Sequence, residues 1–142
     1  MKTMGKSVVS WSEKYDIANA KGHEIKPVRK DMMGMKAGQK MLIATPKMVA
    51  DIIATIPHGQ IKDTSFLRAE LAKQTNVDVV CPLTTGIFVR IICEASNEDV
   101  QNGASLSEVT PFWRVLGEKA PVRKKLSFDL EPYLTQQLNE AA

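Results

Sequence analysis

Thr110-Pro111-Phe112-Trp113-Arg114-Val115-Leu116 is the stretch that most restricts how this chain can fold. Proline fixes φ and removes a backbone donor, so Pro111 sets a turn. Two large aromatic side chains and an arginine follow at once. Val115 and Leu116 then resume a buried segment. The aromatic pair either lines a pocket that can stack a base or forms core beneath a neighbouring turn.

The segments before it read as helices. Threonine caps well and proline suits a first helical position, so Thr45-Pro46 starts one. Met48, Val49, Ile52, Ile53 and Ile56 follow at helical spacing, and Pro57-His58-Gly59 ends it in a turn. Asp63 or Thr64 caps a second helix through about Gln74, with Phe66 or Leu67, Leu71 and Ala72 inward and Arg68, Glu70 and Lys73 outward. A connector, Asn76 to Val80, closes on Cys81-Pro82. Thr84 and Thr85 open a third helix, whose apolar stripe is Ile87, Phe88, Ile91, Ile92 and Ala95, and Asn102-Gly103 stops it. Gly117 to Pro121 reads as a turn or wing tip beside the basic run Arg123-Lys124-Lys125. Asp129 caps a last helix, with Leu130, Leu134 and Leu138 every four residues.

Residues 1 to about 39 lack a clean period, and Lys40 to Ala44 reads as a short extended segment or a lead-in to the next helix; residues 1–44 together read as a basic, partly ordered arm, with residues 45–142 as the folded domain. Trp11, Tyr15 and Ile17 can anchor a short helix on the body, and Met32, Met33 and Met35 read as adaptable packing. Residues 1–50 carry ten basic and four acidic side chains, while the remainder carries nine and twelve. That asymmetry is compatible with phosphate contact, and equally with lysines that keep an arm soluble. Cys81 and Cys93 have no CxxC spacing or nearby histidine pair, so the expectation is no metal or cofactor and two small buried hydrophobes. No apolar run approaches the roughly 18 residues of a membrane span. Met1 to Ser7 is basic without the apolar region of a signal peptide, so a cytoplasmic location without membrane association is expected.

Three segments carry a resemblance: Ile56-Pro57-His58-Gly59-Gln60-Ile61, Cys81 to Phe88, and Thr110 to Leu116. Together they resemble the DNA-binding domain of the methylated-DNA–protein-cysteine methyltransferases, in a divergent alkyltransferase-like branch. The resemblance runs from about Thr45 to Lys125. It implies a mainly helical fold, α+β at most, with a winged helix-turn-helix. In the family the last stretch reads Pro-Cys-His-Arg-Val, whereas here Phe112 and Trp113 replace the cysteine and histidine. Alkyl transfer needs a thiolate and a base, so the resemblance implies a non-catalytic relative that recognises alkylated or flipped bases in DNA repair.

On this resemblance Thr84, Thr85 and Gly86 allow close approach of the recognition helix to DNA. Thr64 stands where the family has a tyrosine. Leu83 lies where the family's arginine finger is expected, and is either a wedge between base steps or core. Lys62, Ser65, Arg90, Arg123, Lys124 and Lys125 are the candidate phosphate contacts, with Arg90 either on the backbone or simply solvated. Pro111, Phe112, Trp113 and Arg114 are the candidate base pocket. Two other functions stay open: alkyl transfer through Cys81 at a helix start, and a winged helix that binds a protein partner.

Overall fold

The computed structural model describes residues 9–142. The reading of Met1–Ser7 lies outside the described residues. The elements in order are α1 (Trp11–Lys21), β1 (Glu24–Pro27), β2 (Lys40–Ile43), α2 (Pro46–Ala54), α3 (Thr64–Thr75), β3 (Val79–Val80), α4 (Pro82–Gln101) and α5 (Glu131–Ala141). Short 3-10 turns cover Leu106–Glu108, Phe112–Val115 and Pro121–Lys125. The protein is mostly helical with one small sheet, in the order β1-β2-β3. β1 and β2 are antiparallel, and β2 pairs with β3 in parallel, with Leu42 opposite Val80.

Residues 9–44, expected as an arm, supply α1, β1 and β2. The start of α1 is a capping box: Ser10 Oγ accepts from the Glu13 N–H, and Glu13 accepts from the Ser10 N–H. The helix has no fully buried residue. Polar contacts to the body hold it instead. Glu98 on α4 accepts from the N–H groups of Trp11 and Ser12, at 3.0 and 2.9 Å. Asn19 Oδ1 accepts from the Lys47 N–H at 2.8 Å, which joins α1 to the first turn of α2. Tyr15 packs against the core, while Ile17 is exposed and anchors nothing. Of the three methionines, Met35 is buried and Met32 and Met33 are exposed.

α2 starts as its sequence predicts. Thr45 Oγ1 accepts from the Met48 N–H, and Pro46 takes the first turn. Val49, Ile52, Ile53 and Ile56 are buried. α3 is capped by Asp63, which accepts from the Phe66 N–H at 3.0 Å, and it buries Leu67 and Leu71.

α4 departs from expectation at both its start and its face. It begins at Pro82, with Cys81 as the capping residue and no side-chain cap. Thr84 and Thr85 lie inside the first turn, and the Thr85 hydroxyl donates back to the Cys81 carbonyl at 2.7 Å. The buried face is Thr85, Val89, Ile92, Cys93, Ala95 and Ser96, so Ile92 and Ala95 of the expected stripe are inside, whereas Ile87 is exposed. Glu94 is buried beside them, where its carboxylate accepts from the Ser127 N–H and hydroxyl and from Arg90.

The turn from Gly117 to Lys125 ends in a 3-10 helix, and among the described residues no strand follows α4. The expected wing tip is therefore a turn without a hairpin. In α5 Tyr133 is the buried residue; of the expected leucine stripe, Leu130 packs against the core and Leu134 is half-buried, while Leu138 points to solvent. Among the described residues no helix is long and apolar enough to cross a membrane.

Candidate nucleic-acid interface

The Pro111 stretch forms core. Phe112 is 0% exposed and Trp113 2%. Phe112 packs edge-on against Trp113 and Phe128, with ring centroids 5.6 and 6.0 Å away, and tilted against Tyr133 at 4.6 Å. Burial of each ring stabilises the fold by about 2–3 kcal/mol. Trp113 Nε1 donates to Glu140 at 3.0 Å. Arg114 is committed as well. Its Nε and Nη2 donate to the two oxygens of Glu140, and its Nη1 donates to the Ile56 carbonyl at 2.8 Å. The bonds from Arg114 hold the Glu140 carboxyl down at about 2; burial opposes them, and Trp113 and Gln136 add to the lowering. The candidate base pocket of Pro111, Phe112, Trp113 and Arg114 is thus a closed aromatic cluster locked to α5. An aromatic pair does not by itself tell a pocket from a core.

The open surface lies elsewhere. A groove of about 610 Å³ runs between the first half of α4, the starts of α1 and α3, and the turn at Ala120–Lys125. Thr64, Leu83, Gly86, Arg90 and Lys125 line it, so the fold brings these sequence candidates together. A Cβ added to Gly86 would meet nothing within 4 Å, which leaves the α4 backbone open to a ligand. A second depression of about 520 Å³ adjoins it, with Lys62 and Lys119 in its wall. The two share Asp63, Thr64, Val115, Ala120 and Pro121.

Lys14, Lys62, Lys119 and Lys125 border these depressions, with Lys124 exposed beside Lys125. Among the described residues none of these five lysines forms an ion pair. Asp63 is an acid of the same surface, but its carboxylate caps α3. Glu118 is exposed next to Lys119.

Other candidates are taken up within the fold. Thr85 is buried. Thr84 is half-buried and reaches the Cys81 carbonyl at 3.5 Å. Arg123 is half-buried and donates to the Leu116 carbonyl at 2.9 Å, so it braces the turn. Arg90 pairs with Glu94 and lies over the Trp11 ring at 4.9 Å. Ser65 is exposed at the start of α3, where its hydroxyl accepts from Arg68. Cys81 is buried and lines neither depression. Cys93 is fully buried, and burial pushes its thiol well above its ordinary value.

Sequence reasoning missed Trp11, Lys14 and Lys119. The signal for the first two was present: Ser10-Trp11-Ser12-Glu13 has capping-box spacing and places both residues on a helix start. Comparison of the chain with protein-family models, curated proteins and solved structures finds no match among them.

Proposed function

We propose that this protein is a non-catalytic DNA-binding module that presents α3, α4 and the Gly117–Lys125 turn to DNA in an alkyltransferase-like way, with that turn in place of a wing. The observation that carries this reading is the set of five lysines around two adjoining depressions, none of which forms an ion pair among the described residues. A duplex offers regularly spaced phosphates, and each lysine that neutralises one releases counterions. Lys62 and Lys119 sit beside Thr64, whose hydroxyl can donate to a phosphate. Lys124 and Lys125 extend the cationic rim along the turn.

The resemblance also implied a flipped or alkylated base held near Phe112 and Trp113. Their complete burial argues against that part, so the reading rests on backbone contact. Alkyl transfer through Cys81 has weaker support, because the residue is buried away from both depressions. The test is fluorescence anisotropy with a labelled duplex at low salt. Saturable binding supports the reading, and no binding there overturns it.

A further inference from the structure

The groove beside α4 has a character that phosphate contact does not use. Leu83 is 60% exposed and Ile87 49%. They are one helical turn apart, so both face the same side of α4 and both line the groove. Trp11, Ile91, Pro121 and Val122 complete apolar walls around them. At about 610 Å³ the groove falls within the range of roughly 300–1,000 Å³ typical of ligand sites. Its charged border is mainly basic: Lys14 and Arg90 lie over the Trp11 ring at 4.0 and 4.9 Å, and Lys125 stands on the facing turn.

We propose that this groove docks a short acidic amphipathic helix of a partner protein. The occupant's apolar stripe would cover Leu83 and Ile87, and its acidic flanks would meet Lys14 and Lys125. Charge complementarity selects an acidic partner, since Lys14 and Lys125 outnumber Asp63, the one acid in the lining among the described residues. The lining selects a helix over a strand. Among the described residues it comes from helices, two 3-10 turns and their caps, so no sheet edge is available there for strand addition. A phosphate backbone gains nothing from Leu83 and Ile87, whereas an amphipathic helix buries both. This inference goes beyond DNA binding and does not rest on it.

The test uses Trp11, which lines the groove, as the reporter; Trp113 is buried. The protein is titrated with a synthetic amphipathic helix of leucine and glutamate, and with a matched peptide carrying lysine for glutamate. The expected result is saturable quenching or enhancement by the acidic peptide, at least about tenfold weaker for the basic one. The L83E/I87E double variant should weaken the acidic peptide by about tenfold or more. L83S/I87S serves as a second variant, so that a folding defect in the first does not decide the outcome. Equal affinity for both peptides, or full affinity in both double variants, overturns the proposal. So does wild-type self-association that the variants abolish, because the occupant is then a second copy. A Trp11 response to duplex DNA with none to the acidic peptide assigns the groove to DNA and also overturns it. The DNA reading itself is scored separately, by anisotropy on labelled duplex with lysine variants outside the apolar floor.

Discussion

Arg114 and Glu140 face each other through two parallel hydrogen bonds, Nε to Oε1 at 3.0 Å and Nη2 to Oε2 at 2.9 Å. The pair ties the Phe112–Val115 turn to the end of α5. Gln137 adds to the tie by donating to the carbonyls of Trp113 and Leu116. Both charged side chains are largely buried, at 11% and 3% exposed. The arginine that the resemblance placed in a binding site is therefore a brace.

Removal of one partner leaves the other buried and unpaired. Arg114→Ala is expected to cost about 3 kcal/mol of stability, read by urea denaturation. Arg114→Lys keeps the charge and loses the two-pronged geometry, so it should fall between wild type and alanine. A loss below about 0.5 kcal/mol for alanine would place the pair in the class of weak surface bridges.

The same pair predicts a response to acid. The folded Glu140 carboxyl lies at about 2, below its ordinary 4.5. A carboxyl lowered by folding stabilises fully above its unfolded value. That contribution is lost as pH falls through the folded value, here between about 4.5 and about 2. Glu140→Gln should remove about 3 kcal/mol at neutral pH and flatten the stability profile across that window. Parallel profiles for wild type and variant would contradict the assignment.

Gly59 lies in the turn after α2, against the end of α5. Its φ is +81°, and a Cβ there would stand 3.0 Å from the Glu140 carbonyl oxygen. Gly59→Ala combines a left-handed backbone with a close approach, and should lower stability by about 1–2 kcal/mol. Thermal denaturation reads the change, and an unchanged midpoint would show that α5 can move aside.

Phe112, which the resemblance sets where a nucleophile would stand, lies in the aromatic cluster. Phe112→Cys should leave a cavity costing about 3 kcal/mol and give no mass gain with alkylated oligonucleotide. Mass spectrometry of the folded variant checks this. Alkylation of the introduced thiol would mean that the stretch opens to substrate.

How far the sequence revealed these features depended on what held each element. α2 was legible because Thr45-Pro46 and a regular apolar stripe point the same way. α4 was legible as a helix but not in its facing, since Ile87, Val89, Ile91 and Ile92 are apolar nearly all round and spacing does not choose among them. A buried Glu94, satisfied by Ser127 far along the chain, lies outside any hydrophobic pattern. α1 has no buried side of its own and is held by Glu98 and by the stacking of Arg90 on Trp11, which are long-range polar contacts. Thr64, Gly86 and Lys125 were legible as surface candidates, while Phe112 and Trp113 were not legible as core.

On the proposed reading, a lysine-rimmed face meets a phosphate backbone. Anisotropy of a labelled duplex, measured from ~20 to ~200 mM salt, tests it most directly. The wild type should show a log–log slope of about −3 to −5, reduced in magnitude by about 2–3 in the K119Q/K124Q/K125Q variant. A slope near zero, or one that the three substitutions leave unchanged, would contradict it.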